Sequence, residues 1–337
     1  MEELVDPALD PIRVFLVRDD NKARKLKYNL GHPRVLTFGG AYSGHIRAVA
    51  AAGRRDGFAT IGVIRGEETL PLNPSLAYAE SCGMRLTYLD RGTYRRKHTP
   101  EVQAALREQW GEVAILPEGG SNAAAVRGCA ELPGEIGGDY DVICCAVGTG
   151  GTLAGIAAGL PEGRRAIGFA VLKGAGFLDD EVARLQREAY GRVWPNWSVN
   201  LDYHFGGYAR STPVLDDFIA KYRVEGVYVG KMLYGVFDLV RQGAFQPGTR
   251  IVAVVTGEPW SAATGEPWSP VTDRPWSPVT DRPCSPVTDR PWSAAADRPW
   301  SAAADRPWSP AADQPSTPVQ ECGAPTGLDS GDPRCRR

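Results

Sequence analysis

Two stretches hold side chains whose types and spacing could do chemistry. The first is RDDNKARKLKYNL, residues 18 to 30, where Arg18, Lys22, Arg24, Lys25 and Lys27 gather directly after the apolar run VFLV. A lysine in such a cluster can act as a nucleophile, because burial and neighbouring cations leave its amine unprotonated. The same pattern on a short amphipathic helix is usually a solvated face, and the residues alone favour that reading over a chemical one. The second stretch is AVGTGGTLAG, residues 146 to 155, a buried-strand pattern running into glycines and then into a helix. Gly148, Gly150 and Gly151 let backbone N–H groups approach an anion. Thr149 and Thr152 can add hydroxyl donors, and a helix N-terminus favours negative charge. The loop lacks the Lys-Ser/Thr pair of a nucleoside-triphosphate P-loop. As a dinucleotide fingerprint its spacing is imperfect, and no βαβ unit opens the chain. It reads as a phosphate cradle, with a tight packing turn as the alternative.

The elements around these stretches must hold them in place. RVLTFGG (34–40) reads as a buried strand, HIRAVAAAGRR (45–55) as a helix and ATIGVIRG (59–66) as a strand. PSLAYAESCG is a helix and RLTYLD a strand. TPEVQAALREQWG is a helix with Thr99 as N-cap and Pro100 at its first position. The alternation continues through VAILPEGG, SNAAAVRGCAEL, YDVICCAVGTGG, TLAGIAAGL and RAIGFAVL. Such a pattern predicts parallel sheets covered by helices. Ligands on such sheets bind at the carboxyl ends of strands, and GGAYSGH, PEGGSN and GTGGT all fall there.

Composition excludes several classes. The chain has 337 residues, 43% hydrophobic and 23% charged, an ordinary globular balance. A net charge of −2 gives no basic field for nucleic acid. No apolar run approaches the roughly 20 residues of a membrane helix, and the acidic start MEELVDPALD lacks a signal-peptide core, so a cytoplasmic protein is expected. The cysteines show no metal-ligand spacing, and no metal is expected. Adjacent Cys144 and Cys145 in one strand should point to opposite faces as small buried hydrophobes.

From Glu258 the chain changes character. Units of eight residues follow one another (EPWSPVTD, RPWSPVTD, RPCSPVTD, RPWSAAAD), and six of the nine tryptophans lie in this part. A unit this short with a proline in every copy cannot build a solenoid. Residues 258–337 are expected to be a disordered tail of octapeptide repeats.

Six blocks then converge on one family. NKARKLKYNL, LTFGGAYSGHIRAVAAAG, IRGEE, LPEGGSNAAAVRGC, CCAVGTGGTLAGI and VYVGKMLYG occur in register over most of residues 14–257. Together they resemble the pyridoxal-phosphate enzymes of the 1-aminocyclopropane-1-carboxylate deaminase and D-cysteine desulfhydrase family. The resemblance implies the tryptophan-synthase β-like fold, fold type II: two open, mostly parallel sheets covered by helices. A larger cofactor-binding domain would comprise 1–35 and 122–257, and a smaller α/β domain 36–121. It implies pyridoxal 5'-phosphate as cofactor and a small amino acid as substrate, and it allows a homodimer.

Site residues follow from the same match. Lys22, in the NK pair, would form the Schiff base with the cofactor, while Lys25 and Lys27 are expected to be solvated. Gly148, Thr149, Gly150, Gly151 and Thr152 would hold the phosphate. Ser43 would hold the substrate carboxylate, Tyr228 and Tyr208 would face substrate and cofactor, and Thr256 would close the site near the pyridine ring. Ser43 could also be a plain helix cap, the tyrosines core residues, and Thr256 a strand-end hydroxyl. The chain departs from the family at Gly44, where relatives carry asparagine, and at Val229, where the deaminases carry glutamate. The expected activity is β-elimination from D-cysteine to pyruvate, sulfide and ammonia. The alternatives are deamination of the cyclopropane amino acid and a degenerate cofactor-binding protein.

Overall fold

The computed structural model describes residues 1–257. The chain opens with β1 (Glu2–Leu4), β2 (Arg13–Arg18) and α1 (Asn21–Lys27). It continues through β3 (Arg34–Gly39), α2 (Gly44–Asp56), β4 (Ala59–Arg65), α3 (Pro74–Ser81), β5 (Arg85–Leu89), α4 (Arg91–Arg95), α5 (Pro100–Trp110) and β6 (Ala114–Leu116). Helices α6 (Ala123–Cys129) and α7 (Leu132–Ile136) lead to β7 (Val142–Val147), α8 (Gly151–Gly159), β8 (Arg165–Ala170), α9 (Leu178–Tyr190) and β9 (Trp197–Asn200). Then come α10 (Pro213–Tyr222), α11 (Val229–Arg241) and β10 (Arg250–Val255).

The strands form two sheets, ordered β1-β2-β10-β7-β8-β9 and β5-β4-β3-β6. Every neighbouring pair is parallel except β1 with β2. Parallel strands need long crossovers, and the helices between them supply these while covering both faces. That burial explains the near-continuous apolar runs. In VICCAV (β7) and RIVAVV (β10) almost every residue is buried.

One face of the six-stranded sheet packs on α6, α8 and α9 through Val126, Leu153, Ile156, Val182 and Leu185. The other packs on α11 through Val229, Met232, Leu233 and Val236. Cys145 belongs to the first core and Cys144 to the second, so the adjacent thiols do face opposite sides as small buried hydrophobes. The four-stranded sheet has its own core, with Val35, Ile46, Val49, Ile64, Leu76 and Leu116.

Three expectations need comment. Thr99 stands at the N-cap position of α5 in extended conformation, with Pro100 behind it, but its side chain makes no cap bond; its hydroxyl lies against Glu101 instead. The strands of the small sheet lie between 34 and 116, which motivates the division into 36–121 and 1–35 with 122–257; the division stays a proposal. The octapeptide tail at 258–337 lies outside the described residues. Among the described residues no helix is long and apolar enough to cross a membrane, and no group of three or more His, Cys, Asp or Glu is placed to hold a metal ion.

Candidate active site

The sheet order brings distant segments together. β10 lies between β2 and β7, so the ends of these three strands are neighbours. α1 starts just beyond β2, Thr256 follows β10, and the glycine loop follows β7.

α1 is fixed at its first turn. The Asp20 carboxylate accepts from the backbone N–H of Lys22 at 3.0 Å and of Ala23 at 3.1 Å. Arg24 ties the helix to Asp19 and to Glu135, each at 2.6 Å. The Asn21 amide reaches across to donate to Thr152 Oγ1 at 3.3 Å, joining the helix to the glycine loop. Lys22 Nζ makes no hydrogen bond or ion pair among the described residues. Burial pushes its ammonium down, against opposing pulls from Cys129, Asp20 and Glu225. An amine disposed to lose its proton is what a nucleophilic lysine requires.

Lys25 overturns an expectation. It is 3% exposed, and its ammonium donates to Gly119 O at 3.2 Å and to Ser121 Oγ at 3.0 Å. The helical period explains this: Lys22 and Lys25 are three apart and share the inner face. Lys27 is on the outer side, exposed and paired with Glu131 at 2.6 Å, as expected.

The glycine loop has the form of an anion site. Gly150 caps α8 with φ +79°, a conformation that favours glycine. It offers no side chain to the first N–H groups of the helix, which leaves them free for a ligand. Thr149 Oγ1 is 2.6 Å from Ser121 Oγ. Gly148 lies under Tyr228, where an added Cβ would come within 3.4 Å of the ring.

Tyr228 and Tyr208 meet edge to face, with ring centroids 5.9 Å apart at 73°. Burial, then Tyr208 and Glu225, hold the Tyr228 phenol well above its usual range, so it remains a proton donor. Tyr208 is exposed and sits on a loop gripped by Lys231, a wholly buried lysine that donates to His204 O at 3.0 Å and Gly207 O at 2.6 Å. Glu225 accepts from the backbone N–H of Val227, Tyr228 and Val229 at 2.6–3.1 Å and so holds the start of α11. Ser43 caps α2, its Oγ accepting from Ile46 N at 3.4 Å, so the cap reading is realised at the carboxyl end of β3. Thr256 is half-buried, and the Glu225 Cγ is 3.4 Å from where a Cβ on the next residue, Gly257, would stand.

Behind this surface lies His45, 2% exposed. Its Nε2 is 2.8 Å from Thr37 Oγ1, whose own proton goes to Leu116 O at 3.2 Å. Nε2 therefore donates, and Nδ1 is a bare acceptor with no partner. Burial, with Lys22 and Lys25, keeps the ring neutral by holding it well below its usual range.

The structure thus groups Lys22, Thr149, Thr152, Tyr228, Tyr208 and Thr256 at the ends of the large sheet, with Ser43 at the end of the small one. Sequence reasoning missed Lys25, Ser121, Glu225 and Lys231 as supports. Only the three-residue step from Lys22 could have flagged Lys25.

No family model matches the chain. A candidate 1-aminocyclopropane-1-carboxylate deaminase of Pyrococcus furiosus is 31% identical over 278 residues, covering 72% of this chain and 84% of that protein. A 1-aminocyclopropane-1-carboxylate deaminase of Burkholderia cenocepacia is 26% identical over 274 residues, covering 69% and 80%. Among solved structures, an ACC deaminase homologue superimposes with a TM-score of 0.65 at 27% identity, over 76% of this chain and 88% of that one. A hydrogen sulfide-producing enzyme from Fusobacterium nucleatum shares the fold, with a TM-score of 0.55 at 11% identity over 76% of this chain and 93% of that one. The 31% identity to a relative of which the chain covers 84%, and the superposition on an ACC deaminase homologue, lead to one conclusion: the chain belongs to the 1-aminocyclopropane-1-carboxylate deaminase family of pyridoxal-phosphate-dependent, fold type II enzymes.

Proposed function

We propose that the protein is a lyase acting on a small amino acid, with β-elimination from D-cysteine preferred over opening of the cyclopropane ring. The observation that carries this reading is Val229, the first residue of α11, wholly buried in the core. At this position, which follows the matching tyrosine, the deaminases carry a glutamate. A buried valine cannot hydrogen-bond a ring nitrogen, so ring opening, which needs the fuller electron withdrawal, loses support.

The residues fit pyridoxal 5'-phosphate. The uncapped first turn of α8 suits a phosphate, and Lys22 has an amine free of partners and depressed by burial. When bound, this cofactor withdraws electrons from the substrate's Cα. The chain supplies the rest. Lys22 Nζ takes the Cα proton. The loop ending in Ser43 presents the start of α2 to the carboxylate. Tyr228, kept protonated by burial, donates to the departing sulfur. Loss of hydrogen sulfide from D-cysteine and uptake of one water then balance to pyruvate and ammonia.

A second reading, deamination of 1-aminocyclopropane-1-carboxylate, is favoured by the names of the relatives. Sulfide release from D-cysteine should exceed ammonia release from the cyclopropane substrate under equal conditions. A faster cyclopropane reaction would overturn the preference. Turnover of neither substrate, even in Gly44→Asn, would favour a degenerate cofactor-binding protein.

A further inference from the structure

Lys25 is a buried amine without a counter-ion. Every group facing it can be named. From its own helix comes Lys22, from α2 His45, from α6 Cys129 and from β7 Cys145. Burial holds the two thiols protonated, at about 11 for Cys129 and about 12 for Cys145. His45 is neutral. The atoms that Lys25 Nζ touches are a carbonyl and a hydroxyl. No carboxylate is among its partners, and buried ammonium groups are costly without one. Burial, and then Lys22, push Lys25 down to about 7.

The same amine is wired to the glycine loop. Lys25 donates to Ser121 Oγ at 3.0 Å, and Ser121 Oγ is 2.6 Å from Thr149 Oγ1. With Lys25 donating into Ser121, the serine's own proton is free for Thr149, and that of Thr149 for an anion held at the start of α8. The serine, 5% exposed, also packs where a Cβ on Gly151 would come within 2.6 Å of its oxygen. The relay is therefore set directly against the turn that would hold the phosphate.

We propose that Lys25 takes up a proton when a phosphate group docks in the glycine loop, so that cofactor loading creates its own counter-charge in the core through Ser121 and Thr149. The proposal rests on the cofactor reading above. Its sign is fixed by linkage. A bound dianion favours the charged lysine and raises its pKa, so protons are taken up between the free and the bound values. In that window affinity falls as pH rises, by up to about tenfold per pH unit for one proton.

The test uses the full chain freed of cofactor, titrated calorimetrically with pyridoxine 5'-phosphate in non-phosphate buffers of differing ionisation heat. This probe carries the phosphate but no aldehyde, so Lys22 forms no covalent bond with it. Uptake of about one proton per site is expected near pH 8, falling well below half near pH 6. Lys25→Gln should abolish the uptake and flatten the pH dependence of affinity. Ser121→Ala keeps the lysine, cuts the relay, and should reduce the uptake. Binding without proton uptake from pH 7 to 9, or full uptake in a folded Lys25→Gln protein, overturns the proposal and leaves the cofactor reading intact. If the probe fails to bind at any pH, both fall.

Discussion

Replacing Lys231 with methionine tests whether the loop carrying Tyr208 is held from beneath. Methionine keeps most of the volume of the stem and removes the donor. The wild-type ammonium, wholly buried, serves two backbone carbonyls, His204 O at 3.0 Å and Gly207 O at 2.6 Å. Losing a charged donor to one carbonyl costs about 1.5–3 kcal/mol. Two such losses are offset in part, because the variant no longer buries an ammonium. We expect a net loss of about 2 kcal/mol, a fall of roughly 4–8 °C in Tm for a body of this size. The pH dependence sharpens the test. Burial lowers the Lys231 pKa to about 8, below the roughly 10.4 of a free lysine. Between those values the unfolded chain binds the extra proton, so this group adds stability as pH rises. The gap between wild type and Lys231→Met should therefore widen from pH 7 to pH 10. Tyr208 would lose its fixed place against Tyr228, so KM should rise more than kcat falls. Scanning calorimetry and steady-state kinetics read both effects. An unchanged Tm with unchanged KM would refute the reasoning.

Lys22→Ala should fold with an unchanged Tm yet lose the visible absorption band that borohydride bleaches in the wild type; an equally strong band in the variant removes Lys22 from its role. Gly44→Asn should raise cofactor occupancy at limiting cofactor, because a Cβ at Gly44 meets nothing within 4 Å and the amide would restore the hydrogen bond to the cofactor's ring hydroxyl that the family resemblance implies at this position, worth about 1–3 kcal/mol; occupancy no higher than wild type would count against that contact. Gly150→Ala should cost about 1–2 kcal/mol for the left-handed backbone, with the new Cβ 3.1 Å from Val182 Cγ2; equal stability and equal cofactor affinity would show that the turn needs no glycine.

The elements were legible because they are locally encoded. Buried parallel strands are apolar throughout, and GGAYSGH, PEGGSN and GTGGT stand where glycine chemistry interrupts them. The family match placed Lys22 and the glycine loop together, which local pattern could not do, since β10 brings β2 and β7 together only in three dimensions. Thr99 shows the limit of propensity: its position is that of a cap, but its hydroxyl turned to Glu101 instead. Lys25 reads as solvated in the sequence because lysines are rarely buried, whereas its carbonyl and hydroxyl partners come from the turn that begins more than ninety residues later. Glu225 and Lys231 act on backbone groups, which leave no signature in side-chain type.

The place of β10 has a consequence for synthesis. It is the last strand of the described chain, yet it fills the interior of the large sheet between β2 and β7. Until it emerges from the ribosome, β2 and β7 each present an open edge, the kind of surface that invites pairing with other chains. The lysine and the phosphate loop have already been made by then, but the strands they follow, β2 and β7, are not yet joined. A chain stopped short of residue 250 would carry every one of its glycine-loop residues and still lack the strand that joins β2 to β7, leaving two open edges as an aggregation hazard.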